Sequence, residues 1–139
     1  MKLVKDPKSL LDPVTRQWAK QRDFLEEVGA TFAGIAIERI EKTKAGPDGK
    51  KWAPWASATR KARRKEGSAG TGLLLRTGAL RDSITYEVQG NMKVAVKTDN
   101  PYAGYLQNGT SKMPARPFLG FGRVEEREMK QIWKKWMDT

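Results

Sequence analysis

The chain has 139 residues, and its 27 Lys and Arg side chains against 16 Asp and Glu give a formal net charge of +11. It contains no His and no Cys, which excludes disulfides, the usual zinc sites, and catalytic Ser-His-Asp or Cys-His groups. The length predicts one domain spanning 1–139 with a core of its own. No apolar run approaches the roughly 18 residues of a membrane span, and the N-terminus lacks the apolar region of a signal peptide. We therefore expect an intracellular or particle-bound protein.

The first predicted element is a long helix over 13–42. Asp12 is a suitable N-cap and Pro13 suits the first helical position. Apolar side chains recur at helical spacing and predict one buried stripe. The stripe comprises Val14, Trp18, Leu25, Val28, Phe32, Ile35 or Ala36, and Ile40. Gly29 and Gly34 weaken the helix, and we interpret them as sites where another part of the chain packs closely.

A basic loop region is predicted over 43–72, with a short helix over roughly 58–66 capped by Ser57. Residues 43–116 carry 14 basic and five acidic side chains, so +9 of the +11 lies there. The candidates for polyanion contact are Lys50, Lys51, Arg60, Lys61, Arg63, Arg64 and Lys65. Such a run either binds a polyanion or is simply a solvated face. Trp52 and Trp55 beside it are either core anchors or surfaces on which bases stack.

Residues 73–120 are predicted to hold a β-hairpin and several loops. Ile84, Tyr86 and Val88 alternate with polar residues, and Met92, Val94 and Val96 do so again after Gly90-Asn91. This pattern predicts two antiparallel strands joined by a two-residue turn. A lone hairpin is marginal in water, so its apolar face must pack on the long helix or join more strands. A short helix over about 101–107 and an extended segment over 114–120 follow.

The last element is a C-terminal helix within 121–138. Glu125 and Glu126 near its start and Lys134 and Lys135 near its end complement the helix dipole. Its predicted apolar stripe is Met129, Ile132, Trp133 and Trp136. The predicted fold class is therefore α+β: a long N-terminal helix packed on a small antiparallel sheet, with short helices and a C-terminal helix.

No catalytic or cofactor-binding group is evident in the sequence. Without His, acid–base chemistry would need paired carboxylates, Lys or Tyr, and the acids lie at salt-bridge or capping positions. Asp48 sits in a Pro-Asp-Gly turn, and no acidic cluster indicates a metal. We expect no enzyme activity, cofactor or metal. The rigid loops with Trp and Arg instead favour binding and assembly.

Four motifs occur in a characteristic order: Pro-Asp-Gly-x-x-Trp from Pro47, Leu-x-x-Thr-Gly-x-Leu from Leu74, Tyr-Ala-x-x-x-Gln-x-Gly from Tyr102, and Pro-Ala-Arg-Pro-Phe-Leu-Gly from Pro114. Together they resemble the phage virion morphogenesis family, which includes tail completion proteins of Mu-like phages and prophages. The resemblance covers roughly 13–137. The family-motif positions, which are the candidate assembly residues, are Asp48, Gly49, Trp52, Pro54, Thr77, Gly78, Leu80, Tyr102, Ala103, Gln107, Gly109, Pro114, Arg116, Pro117, Phe118 and Gly120.

The resemblance implies a structural protein of a phage or prophage that acts at the head–tail junction as an oligomer, often a ring. Its expected partners are copies of itself and the neck, connector and tail proteins, with non-specific DNA contact. The expected location is the virion, and the host cytoplasm during assembly. Family members often carry His where this chain has Leu106, which favours packing over proton chemistry there.

Two further hypotheses arise from the same residues. The stiff segment Pro114–Gly120 is expected to dock on a neighbouring subunit through Phe118. The alternative function is a basic nucleic-acid-binding module without catalytic activity. A small enzyme would require a site made only of Lys, Tyr and acids.

Overall fold

The computed structural model describes residues 7–67, 72–74, 78–90 and 93–138, and for 7–19 the backbone alone. The described elements are helix α1 (Pro7–Glu38), a π-helical turn (Arg39–Thr43), helices α2 (Ser57–Glu66) and α3 (Ala79–Ser83), strands β1 (Ile84–Gln89) and β2 (Lys93–Thr98), and helices α4 (Ala103–Asn108) and α5 (Arg123–Met137). The predicted α+β class is confirmed. No helix in the described ranges is long and apolar enough to cross a membrane.

The long helix begins earlier than predicted. It starts at Pro7, so Asp12 and Pro13 lie inside it and do not form its start. The sequence carries the same start signal twice, because Asp6-Pro7 repeats Asp12-Pro13. At its other end the α-helix stops at Glu38 and continues as the π turn, which Lys44 closes with a left-handed φ of 54°.

The apolar stripe of α1 faces the sheet and the core. Leu25, Val28, Ile35, Ala36 and Ile40 are buried, and Phe32 is half-buried. Val14 and Trp18 lie outside the residues whose side chains are described. The stripe is therefore confirmed over its C-terminal half.

The two strands form an antiparallel pair whose apolar face packs against α1. Tyr86 pairs with Val96 and Val88 with Val94, as the alternation predicted. Gln89 pairs with Lys93, so three residues separate this pair, whereas the predicted Gly90-Asn91 turn would leave two; residues 91 and 92 lie outside the described residues. At Gly29 the helix touches the sheet so closely that a Cβ would lie 2.5 Å from Tyr86 Cδ2. The hairpin thus gains from α1 the support that it lacks alone.

Helix α5 runs along α1 in the opposite direction. Glu125 near its start meets Arg39, and Trp136 near its end meets Glu27. The predicted stripe holds for Ile132, which is buried, and for the half-buried Met129 and Trp136. It is wrong for Trp133, which is 55% exposed and touches Phe24 only at a ring edge.

The basic region 43–72 is more ordered than a loop. Ala45 and Lys51 form an isolated antiparallel bridge around the Pro-Asp-Gly turn. Ser57 is the first residue of α2 and not its cap, because the N-cap position is Ala56 and no side chain bonds there. The glycine-rich stretch 68–71 lies outside the described residues, as do 75–77.

The main buried cluster joins elements from most of the length of the chain. Its buried cluster draws on α1, the loops, α3, β1 and α4, and comprises Ala33, Ala36, Ile40, Trp52, Leu80, Ile84, Ala103 and Phe118. Leu73 and Leu74 pack against this cluster and are half-buried.

Candidate assembly site

Two of the family motifs are clasped together by hydrogen bonds. Trp52 Nε1 donates to the carbonyl of Pro117 at 2.9 Å. Arg116 donates from Nε to the carbonyl of Ala53 at 2.9 Å and from Nη2 to that of Pro54 at 3.0 Å. Because both donors are buried side chains that bond backbone carbonyls 62 to 65 residues away, they fix the Trp52 loop on the Pro114–Gly120 segment.

Gln107 links the third motif to the same segment. Its side-chain oxygen accepts hydrogen bonds from the backbone N–H groups of Phe118 and Leu119, both at 3.1 Å. Its amide nitrogen donates to the carbonyl of Leu119 at 2.7 Å. One amide therefore satisfies three backbone groups of an extended strand-like segment, which explains why a residue with both a donor and an acceptor stands there.

Glycines let the motif loops approach each other. Gly109 ends α4 with φ 75°, and a Cβ there would lie 2.7 Å from the backbone nitrogen of Ala115. Gly120 lies against the ring of Pro47, where a Cβ would come within 2.7 Å. Both positions hold motif segments at backbone distance, which a larger residue would prevent.

The remaining motif residues have mixed positions. Leu80 and Ala103 belong to the buried cluster, and Gly78 precedes α3 with φ 77°. Asp48 accepts the backbone N–H of Lys50 at 2.9 Å, beside Gly49 at φ 82°. Pro54 and Pro114 are exposed, and Thr77 lies outside the described residues.

The structure corrects two expectations about exposed anchors. Phe118 is 0% exposed and lies in the chain's own core, so the prediction that it docks on a neighbour is wrong. Trp52 is likewise buried, so it is a core anchor and cannot stack on bases. Trp55 is half-buried, with the Arg63 guanidinium 5.9 Å from its ring centre. Trp52 and Phe118 are core anchors because the two proline-containing loops that carry them cover the same buried cluster.

A buried ion pair was not predicted. Arg39 Nη2 donates to both carboxylate oxygens of Glu125, at 2.7 Å to Oε2, and Nη1 donates to the carbonyl of Phe118 at 3.3 Å. Arg39 is 5% and Glu125 1% exposed. The same carboxylate accepts the backbone N–H of Gly122 at 3.1 Å. The available signal was a basic residue at a stripe position, next to Ile40 and three residues after Ala36.

Burial shapes the electrostatics of two other cations. It lowers the pKa of Lys44, whose ammonium donates to the carbonyls of Ile40 and Leu73. It also lowers the pKa of Arg116. Both side chains donate charge-assisted hydrogen bonds to backbone carbonyls, and these bonds hold neighbouring segments of the chain together.

The predicted basic residues form an exposed surface apart from the clasped motifs. Helix α2 buries no residue. Lys50, Lys51, Arg60, Lys61, Arg64 and Lys65 are exposed, whereas Arg63 is half-buried and pairs with Glu66 at 3.3 Å. Within the described residues, no group of three or more acidic side chains could hold a metal ion.

Comparison with known proteins decides the family. The model of the phage virion morphogenesis family matches residues 4–138. The chain belongs to that family. It is also similar to Mu-like prophage FluMu G protein 1 of Haemophilus influenzae (strain ATCC 51907 / DSM 11121 / KW20 / Rd), with 34% identity over 115 residues that cover 80% of this chain and 75% of the relative. No solved structure matches the chain.

Family membership assigns this virion morphogenesis protein a structural or assembly role in a phage particle. The clasped motifs fit that role physically. The side chains of Trp52, Gln107 and Arg116, which the structure brings together, bond backbone groups of neighbouring motif loops. These hydrogen bonds hold the motif loops together within the fold.

Proposed function

We propose that this family member is a non-enzymatic virion protein that completes the tail or joins head and tail at the neck. It acts as a homo-oligomer, with a ring as the arrangement that surrounds a DNA path. Its partners are neck, connector and tail proteins, and it assembles in the host cytoplasm before residing in the virion.

The observation that carries the proposal is the separation of a fastened core from exposed binding surfaces. Four side chains of the core and motif loops donate hydrogen bonds to the chain's own backbone or carboxylates. They are Arg39, Trp52, Gln107 and Arg116. The basic helix α2 and the tyrosines Tyr102 and Tyr105 stay exposed. A part that must fit between other parts needs this combination of internal rigidity and open surface.

Deletion of the gene from an inducible prophage tests the proposal. Electron micrographs of induced lysates should contain filled heads and free tails but few joined particles. Supplying the wild-type chain from a plasmid should restore joined particles. Normal numbers of infectious particles from the deletion strain would overturn the proposal, and heads without DNA would place the protein at an earlier step.

A nucleic-acid-binding module is the second candidate, favoured by the exposed basic run of α2. It predicts binding to duplex DNA of any sequence, with log affinity falling by about 0.9 per phosphate contact for each unit of log salt. Absence of such binding at low salt would remove this candidate and leave the assembly role intact.

A further inference from the structure

An open groove lies between α2 and α4. It has a volume of about 1060 Å³, which is at the upper end of the usual range for a ligand pocket, about 300–1,000 Å³. Ala56, Thr59 and Arg63 line its α2 side. Tyr102, Tyr105 and Leu106 line the α4 side, and Met113 and Pro114 close one end. The groove borders the clasped motifs, because the motif residues Leu80 and Arg116 also line it.

The walls of the groove expose large apolar surface. Tyr102 is 67% and Tyr105 58% exposed, and the floor contains Leu74 and Leu80. Tyrosine combines a large apolar ring with a polar end, and it is one of the residue types that dominate protein interfaces. A wall of this composition gains free energy by burying apolar side chains of a partner.

The charged side chains that line the groove are all basic, and one of them, Arg63, also pairs with Glu66 at 3.3 Å. Its described lining includes Arg63, Lys112 and Arg116 and contains no Asp or Glu. The outer faces of α2 add Arg60, Arg64 and Lys65 beside it. A partner that enters the groove therefore meets a positive rim around an apolar floor.

The positive rim and the apolar floor together favour one class of binding partner over the others. A second copy of the chain also carries +11, so its approach to a positive rim is electrostatically unfavourable. A nucleic acid would satisfy the rim, but its phosphates would leave the apolar floor uncovered and wet. A protein segment with acidic side chains flanking apolar ones satisfies both surfaces.

We propose that the α2–α4 groove binds an acidic, apolar-centred segment of another protein. Carboxylates of the segment lie against Arg63 and Lys112, and its apolar side chains lie against Tyr105 and Leu106. The inference rests on the proposed assembly function for the source of that segment, a neighbouring virion protein. Its test measures peptide binding in solution, so it can fail while the assembly role stands.

The test selects short random peptides by display on the purified full-length chain. The peptides enriched should carry Asp or Glu on both sides of Phe, Leu, Trp or Met. The tightest peptide, labelled with a fluorophore, is then titrated by anisotropy against wild type and Tyr105→Glu. The variant places a negative charge in the groove at an exposed position, and it should bind about tenfold more weakly or worse.

Phe121→Glu is the matched control, because Phe121 is 66% exposed and does not line the groove; it should bind like wild type. Enriched peptides without acids, or equal weakening in both variants, would overturn the proposal. Two other results would also overturn it. If Tyr105→Glu abolishes binding to duplex DNA, the groove is a nucleic-acid site. If Tyr105→Glu alone removes self-association seen by light scattering, the groove binds a second copy of the chain.

Discussion

The Arg39–Glu125 pair fastens the end of α1 to the start of α5 from inside the protein. Both side chains are almost fully buried, and Arg39 also bonds the carbonyl of Phe118. Taking one partner away leaves the other charge buried and unpaired. Arg39→Met should therefore lower the free energy of unfolding by about 3–5 kcal/mol, measured by urea denaturation.

Two variants separate the ion pair from a general effect of charge. Glu126→Gln removes an exposed carboxylate on the same helix, which pairs with Lys130 at 3.2 Å, and should change stability by at most about 0.5 kcal/mol. The double change Arg39→Met with Glu125→Leu removes both charges of the pair and should recover much of the loss. A single Arg39→Met variant as stable as wild type would contradict the account.

Gln107 offers a test of the motif itself. Gln107→Met keeps the length of the side chain but removes both the acceptor for Phe118 and Leu119 and the donor to Leu119. A fully buried backbone group left without its partner costs about 1–3 kcal/mol. Because the three hydrogen bonds here are only partly buried, we expect a total loss of about 2–4 kcal/mol in the same urea experiment. Gln131→Met, at an exposed position of α5, is the control. Equal stability of the two variants would show that the three hydrogen bonds contribute nothing.

At the residue scale the sequence indicated which positions matter but not what they do. The spacing of Trp52, Gln107 and Phe118 marked them as motif residues, yet an interface anchor and a core anchor have the same apolar and aromatic signature. Hydrogen bonds between residues 62 to 86 positions apart leave no periodic trace. Arg39 and Glu125 were missed for that reason.

Among the elements, the contact between α1 and the hairpin is set by Gly29. A Cβ there would lie 2.5 Å from Tyr86 Cδ2 and 2.7 Å from Val94 Cγ2. Gly29→Ala should destabilise the protein by about 1–3 kcal/mol through overpacking, although Ala is the better helix former. Gly34→Ala on the same helix meets nothing within 4 Å and should stabilise by about 0.5–1 kcal/mol. Thermal unfolding that shifts both variants in the same direction would contradict this packing.

Glu27, in the interior of α1, is joined to the C-terminal end of α5. It accepts hydrogen bonds from Lys135 Nζ at 2.9 Å and Trp136 Nε1 at 2.6 Å. These bonds, that of Lys135 foremost, lower the pKa of Glu27 below its ordinary value of 4.5. Since the folded pKa is the lower one, the stabilisation is complete above 4.5 and is lost as the pH falls through the folded value.

The difference in unfolding free energy between wild type and Glu27→Gln should therefore be constant near neutral pH and shrink in more acidic buffer. Urea denaturation over a pH series measures it. A difference that grows on acidification would mean that the carboxyl group is held in its protonated form.

Element type followed from pattern more reliably than element boundaries did. Period-two alternation from Ile84 and helical spacing in α1 and α5 predicted the strands and long helices. The start of α1 was wrong because Asp6-Pro7 and Asp12-Pro13 carry the same local signal, and local sequence does not choose between them. The π turn begins at Arg39, whose side chain bonds Glu125 86 residues away, a contact that the local sequence pattern does not show.

At the scale of the whole molecule, the densest run of basic residues lies on the surface, whereas Arg39, Arg116 and Glu125 are buried. The predicted concentration of basic residues in 43–116 becomes an exposed helix, α2, that buries nothing of its own. Composition could predict the excess and its place in the chain. It could not predict the groove beside α2, because the opposite wall is formed by α4 and the Met113 loop, and α4 begins 37 residues after the end of α2.

The role of α2 can be isolated by charge. Replacing Arg60, Lys61, Arg64 and Lys65 with Gln lowers the formal charge from +11 to +7 and leaves the Arg63–Glu66 pair in place. These four side chains are exposed, so the summed loss of stability should stay within about 2 kcal/mol. If α2 meets an acidic partner or DNA in the particle, the variant should restore far fewer joined particles than wild type in the deletion prophage.

The matched control replaces Arg123, Arg127, Lys130 and Lys134 of α5, which are also exposed, and reaches the same +7. It should restore particles nearly as well as wild type, since the loss of total charge is identical and only its position differs.

A binding experiment with duplex DNA and the purified variants then distinguishes the two possible partners of α2. One outcome is that the α2 variant alone binds DNA more weakly and with a shallower fall of log affinity against log salt, by about 0.9 for each phosphate contact removed. That result would mean that α2 faces the DNA path. If neither variant binds DNA but the α2 variant still fails in the particle, its partner is an acidic protein surface. Equal failure of both variants would mean that the protein needs its total charge and that α2 has no special part in assembly.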